Sequence, residues 1–206
     1  MPQTTKDPVV LASEIVLALQ TIASREVNPL DSVVITVGSI HGGSAPNIIP
    51  EKVTLQVTVR TYKDDVREQV LKAIERIIKG AAVMAGMPAE CEPVITKIDS
   101  CPVTYNDPEL VGRVTGALRV GIGAENVVAK PASMGSEDFG MYGHTAKVPS
   151  FMMWLGSVAP DKAAANEKGG AKLPGLHSPH YLPERAGTIR MGVLGMTLAS
   201  LELLGK

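Results

Sequence analysis

Glu51-Lys-Val-Thr-Leu-Gln-Val-Thr-Val-Arg-Thr-Tyr62 alternates without a break. Val53, Leu55, Val57 and Val59 fall on one face, and Lys52, Thr54, Gln56, Thr58 and Arg60 on the other. A period of two with one apolar face is the pattern of a strand covered on one side only. Ser32 to Ile40 is apolar and β-branched and reads as a second strand. The stretch Gly38-Ser-Ile-His-Gly-Gly-Ser-Ala-Pro-Asn-Ile-Ile-Pro50 ends that strand, turns through a glycine-rich loop and starts the next one, presenting His41 and Asn47. Asp64 to Met87 carries Val66, Val70, Ile74, Ile77, Ile78 and Ala81 at helical spacing, with Gly86 to end the helix. On the other side, Asp7 to Val27 reads as a helix. Asp7 can cap it, Pro8 suits its first turn, and Leu11, Ile15, Leu19 and Ile22 share a face until Asn28-Pro29 stops it. Ala89 to Ile98 is expected to be a third strand. The order α-β-β-α-β is a ferredoxin-like split unit without its first strand, which leaves a bare sheet edge.

Ser100 to Asp107 is rich in turn-forming residues and marks the expected boundary, giving domains over 1–105 and 106–206. Beyond it we expect a helix over Pro108 to Val120, a short strand at Asn126 to Ala129, and a loop leading into a short helix over Gly135 to Tyr142. A buried strand at Ser150 to Leu155, a mobile polar loop over Val158 to Gly175 and a closing helix over Pro183 to Leu204 complete the reading. Two short strands are too few for a doubly wound sheet. Both halves look cut, and the chain reads as the C-terminal part of a larger α+β, α/β protein.

The 206 residues carry 45% apolar and 20% charged side chains with a net charge of −1, so no electrostatic case exists for nucleic acid or an anionic membrane. Aromatics at 3% argue against base-stacking surfaces. Charged residues interrupt each apolar run short of the ~20 residues of a membrane span. The first residues have no signal-peptide character. Cys91 and Cys101 fit no zinc spacing, and reduced thiols in a cytoplasmic protein are the expectation.

Leu176-His-Ser-Pro-His-Tyr181 places His177 and His180 in a turn, where one can bind a metal while the other orients it. The same spacing allows His180 to face solvent and His177 to satisfy a backbone carbonyl. Gly135-Ser-Glu-Asp-Phe139 offers Glu137 and Asp138 after a turn whose N–H groups can hold a carboxylate, or a Ser136 cap with acids in the first turn of a helix. Arg60 has the fork that grips a carboxylate, and Asn47 can donate to an oxyanion; each can equally be a surface or turn residue. His144 has no partner in the sequence pattern, and Trp154 reads as core.

Together these segments resemble the zinc amidohydrolases and metallopeptidases of the aminoacylase and carboxypeptidase type, in the branch of hippurate hydrolase and auxin-conjugate (IAA-amino acid) hydrolase. The resemblance runs in order through Val37–Gly43, Asn47–Pro50, Val59–Tyr62, Asn106–Pro108, Met134–Phe139 and Leu176–Tyr181. It implies a ferredoxin-like lid and dimerisation domain over 1–105 and the last part of an α/β catalytic domain over 106–206. It also implies hydrolysis of the amide of an N-acyl amino acid at a site of two divalent metals, zinc or manganese. By the same resemblance His177 is a metal ligand, Asn47 and Arg60 reach the substrate from the lid, and Gly135, Ser136 and Glu137 line its pocket. The family's other metal ligands and its general-base glutamate lie in an N-terminal segment with no counterpart in this sequence. The expectation is therefore a homodimer through the lid and no activity from this chain alone. The alternative is a non-catalytic fragment that associates through the lid.

Overall fold

The computed structural model describes residues 2–205, which form two compact units. Unit one comprises residues up to Val103 together with Ser133–Asp138, and unit two comprises Thr104–Ala132 and the residues from Phe139 onward.

In unit one, α1 spans Pro8–Thr21. The Asp7 carboxylate accepts from the Val9 N–H at 2.8 Å, meeting a donor the first turn leaves unpaired, and Pro8 supplies a preset φ. A π-helical turn, Ile22–Glu26, follows and releases the chain at Val27. Strands β1 (Val33–Gly42) and β2 (Val53–Thr61) pair antiparallel, and α2 runs Asp64–Met84. Gly86, at φ +63, closes α2: its N–H reaches the Val83 carbonyl and that of Met87 the Ala82 carbonyl, the paired bonds of a Schellman end. The register sets Ile35 opposite Val59 and Val37 opposite Val57, and an irregularity between Val37 and Ser39 leaves Gly38 unpaired. That extra residue shifts the alternation, so Ile40 joins the face of Leu55 and Ser39 turns to the other side.

The core lies between the helices and the apolar sheet face. Leu11, Ile15, Leu19 and Ile22 meet Val66, Val70, Ala73 and Ile74, with Val33, Ile35, Val37, Leu55 and Val59 packed beneath. Leu19, Ile22 and Val70 are fully enclosed. Arg76 clasps both carboxylate oxygens of Glu26 at 2.7 and 2.6 Å, and Gln69 donates to the Glu26 carbonyl, fixing α2 to the end of the first helix.

The expected third strand does not form. Residues 89–91 make one 3-10 turn, and no ladder is assigned across 92–103, where Val94 and Ile98 stand exposed. Pro93 removes a donor within the segment, and a strand without a neighbour has no ladder to join.

Unit two centres on α3 (Pro108–Ile122) and α6 (Arg185–Leu204), capped by the carboxylates of Asp107 and Glu184. Their contact relies on small residues: a Cβ on Gly121 would stand 2.4 Å from Leu198. Val114 and Leu118 are buried. Helix α4 (Gly140–Ala146) ends on Lys147 in the left-handed region at φ 53.

Three expectations fail in this unit. Asn126–Ala129 forms no strand, because a 3-10 turn occupies Ala124–Asn126 and the Asn126 amide caps the Ile122 carbonyl. Ser150–Leu155 is neither a strand nor buried, with Trp154 55% exposed. Its backbone is tied to the Tyr105–Asp107 segment by the Asp107 N–H to the Ser150 carbonyl and by the Asn106 side chain at Met152, without a ladder. The stretch read as a loop contains α5 (Pro160–Glu167), started by Pro160 at N1 and carried by Ala163, Ala164 and Ala165.

Pro8–Glu26 and α6 are both long and apolar enough to cross a membrane by length and composition, which corrects the expectation that charges break every such run. The first is a core helix by its buried stripe, whereas most of α6 is open.

Candidate functional site

The hairpin presents its polar face as a stripe of cross-strand pairs: Val34 with Arg60, Thr36 with Thr58, Ser39 with Gln56 and His41 with Thr54. The Ser39 hydroxyl donates to the Gln56 side-chain oxygen at 2.8 Å. None of these residues enters the core cluster, so the whole row is available to a ligand or a loop.

At one end of the stripe the chain leaves β1 through Gly42 and Gly43. Gly42 has no room for a side chain, since a Cβ would lie 2.5 Å from a Val53 methyl and 3.1 Å from the Lys52 carbonyl oxygen. Gly43 takes φ +80, a conformation glycine adopts without strain. The loop carries Asn47, exposed, beside an open depression lined by residues 42–50 with Asp7 and Val9. His41 is also exposed.

Arg60 occupies the opposite end. The seven steps from Val53 to Arg60 cover about 23 Å at the rise of a strand. Arg60 is half-buried, and its Nη1 donates to the Met134 carbonyl at 2.5 Å. This bond spans 74 positions of sequence and brings the Ser133–Asp138 loop to Arg60. In that loop the Gly135 N–H reaches the Ser133 hydroxyl at 3.3 Å, and Gly135, Ser136 and Glu137 are exposed. The structure thus joins Arg60 to the Gly135–Glu137 segment and separates both from Asn47. Sequence reasoning missed Met134 because a backbone acceptor has no side-chain signature.

In unit two, His177 and His180 lie in exposed consecutive turns, fixed by the Ser178 N–H to the Gly175 carbonyl and the Tyr181 N–H to the Ser178 carbonyl. The hydroxyls of Tyr181 and Ser157 meet at 2.5 Å, and the Glu184 N–H donates to the Ser157 carbonyl, so this loop is held from its C-terminal side. Lys130 sits 3.5 Å over the ring of Trp154, giving the tryptophan a cation partner instead of the core place expected of it. Among the described residues no group of three or more His, Cys, Asp or Glu is placed to hold a metal ion. His177 and His180 therefore do not fit a dinuclear centre by themselves, as such sites draw at least three protein ligands.

Comparison with known proteins gives these positions a context. Residues 1–84 match the peptidase dimerisation domain of the M20 type. An N-acetyldiaminopimelate deacetylase of Anoxybacillus flavithermus is 38% identical over 159 residues, 77% of this chain and 40% of the relative. An IAA-amino acid hydrolase of Arabidopsis thaliana is 33% identical over 184 residues, 88% of this chain and 39% of the relative. Among solved structures, a candidate aminohydrolase of methicillin-resistant Staphylococcus aureus superposes with a TM-score of 0.76 at 25% identity, covering all of this chain and 48% of its own. A dinuclear metal-binding peptidase of the M20 family from Bacillus subtilis shares the fold at a TM-score of 0.67 and 23% identity, over 96% of this chain and 46% of its own. Residues 1–84 of the first unit are thus similar to a peptidase dimerisation domain, and the chain as a whole is similar to part of hydrolases that include the deacetylase and the IAA-amino acid hydrolase. It spans about 40% of the length of the curated relatives it matches.

Proposed function

We propose that the chain is part of a metal-dependent amidohydrolase that cleaves the amide of N-acyl amino acids, with residues 1–105 as its lid and 106–206 as a segment of its catalytic domain. The observation that carries this reading is the convergence of Arg60 with the Ser133–Asp138 loop. Two segments read independently as carboxylate-binding meet in one place, on a face the core does not use. An N-acyl amino acid offers one carboxylate, and a guanidinium with a seated loop suits it. In this reading Arg60 takes the carboxylate, Gly135, Ser136 and Glu137 line the pocket, and Asn47 serves the far end of the lid. His177 contributes one ligand to a pair of divalent ions whose other ligands this chain does not supply. Both cysteines are free, which supports a reducing, cytoplasmic setting.

The test is a chimera in which this chain replaces the aligned region of the N-acetyldiaminopimelate deacetylase. Turnover of N-acyl amino acids by the zinc- or manganese-loaded chimera, lost in His177→Ala, is the expected result. A folded chimera that binds both metals and hydrolyses none of a panel of such amides would refute the reading. The dimerisation-domain match favours a second one, in which the chain serves only to associate through its lid. A dimer in sedimentation, with an inactive chimera, is the outcome that would select it.

A further inference from the structure

We propose that Ser157 is the positioning residue of the turn that carries His177, acting through the hydroxyl of Tyr181. What the placed histidine then does rests on the function proposed above; the tie itself does not.

Ser157 holds the stretch that follows the histidines at two points. Its carbonyl accepts the Glu184 N–H at 2.8 Å, and its hydroxyl meets the Tyr181 hydroxyl at 2.5 Å. The first bond fixes Ser157 to the start of α6, because the Glu184 carboxylate caps that helix at the N–H groups of Ala186 and Gly187. The second carries that anchorage to the loop. Ser157 and Tyr181 are both half-buried, so a hydroxyl that lost its partner there would be costly to leave unpaired.

From Tyr181 back to His177 the path is short and stiff. The Tyr181 N–H donates to the Ser178 carbonyl at 3.0 Å, and the His180 N–H to the Ser178 hydroxyl at 3.2 Å. The Ser178 N–H donates in turn to the Gly175 carbonyl at 2.9 Å. Pro179 presets one φ within the same span. Two interlocked turns therefore pass the position of Tyr181 on to His177, whose side chain is exposed. A side chain that adds one ligand to ions held by other residues binds best when it is already placed, since its ordering otherwise subtracts from affinity. Contacts that orient a ligand from outside the coordination sphere are worth about 10–100-fold in metal affinity.

The experiment begins with the metal-free full chain. Ser157→Ala removes the hydroxyl and keeps the carbonyl, so the bond to Glu184 survives. Ser157→Ala and Tyr181→Phe are each expected to speed amide exchange at Ser178 and Tyr181 about fivefold, as for one lost hydrogen bond. Amides of α3 and α6 should keep their protection, and Ser157→Thr, which retains the hydroxyl, should stay close to wild type. In the deacetylase chimera each of the two variants should weaken zinc binding about tenfold, measured by competition with a chelator. The double variant should weaken it no more than either alone. Equal exchange at Ser178 and Tyr181 in wild type and both variants would overturn the inference. Faster exchange with unchanged zinc affinity, beside a loss of affinity in His177→Ala, would overturn its ligand half and leave the proposed function standing. Unchanged zinc affinity in His177→Ala itself would overturn that half together with the role proposed for His177.

Discussion

Asn47 and Arg60 stand at opposite ends of one hairpin, with about 23 Å of β2 between the loop that carries the first and the guanidinium of the second. No N-acyl amino acid spans that length within a single copy of the chain. Their contributions to binding in the chimera should accordingly be independent. Arg60→Ala should cost about 1.5–3 kcal/mol, the loss of a charge-assisted contact. Adding Asn47→Ala should change the total by its own single effect within about 0.5 kcal/mol, as for distant sites. A double-mutant cycle on KM measures this. A larger coupling would mean that one ligand touches both residues, which needs a second copy.

Asn106 substitutes for backbone in unit two. Its amide donates to the Met152 carbonyl and accepts from the Met152 N–H, both at 2.9 Å, beside the bond from the Asp107 N–H to the Ser150 carbonyl. One side chain thus ties the start of α3 to the extended 150–152 segment. Asn106→Ala should destabilise the unit by about 1–3 kcal/mol, because the Met152 groups lose both partners. Asn106→Asp keeps the acceptor and loses the donor, and should fall between. Urea unfolding followed by the Trp154 signal tests both, and an unchanged midpoint in Asn106→Ala would dismiss the clip.

Much of unit one was legible because its elements carry their own periodicities. The alternation of Val53 to Val59 and the helical spacing of Leu11, Ile15, Leu19 and Ile22 each point to a buried face, and those faces meet. The strands read at Ala89–Ile98, Asn126–Ala129 and Ser150–Leu155 failed together for a common reason. A strand exists only through its neighbour, and a short run of apolar or β-branched residues does not reveal whether one is present. Helix α5 was hidden by the opposite weakness, since it forms from alanine propensity without an apolar face. The site was half legible: Arg60 and the 135–137 residues are visible as chemistry, but their meeting passes through a carbonyl.

The division of α1 into a buried and an open side predicts a sharp contrast between near neighbours. Leu19 is 0% exposed in the core between α1 and α2, while Leu17 is 72% exposed. Leu19→Ala should cost about 2–5 kcal/mol by lost burial and the cavity left behind. Leu17→Ala should stay within about 0.5 kcal/mol, as for a surface position free of special contacts. Denaturant midpoints of the two variants decide the matter, and similar losses would mean that the open side of α1 is covered in solution.

The surface ion pairs set an expectation for pH. Hydrogen bonding to Lys79, and then its charge, lowers the Glu75 carboxyl below its ordinary 4.5, and the same pairing raises Lys79 above 10.5. Lys63 is raised above 10.5 by its hydrogen bond to Asp31 and then by the charge of Asp31. A lowered acid stabilises the fold above its unfolded value, and that contribution is lost as pH falls through the folded one. A raised lysine contributes below its unfolded value and loses that contribution as pH rises through the folded one. Between 4.5 and 10.5 neither pair therefore gives stability a slope. All three side chains are exposed, so salt should weaken both pairs. The difference in melting temperature between wild type and Glu75→Gln should be flat across that window and close on its acid side, while that for Lys63→Met should close on the alkaline side. A difference that changes steeply around neutral pH would show that the charges of these pairs interact with a group titrating there.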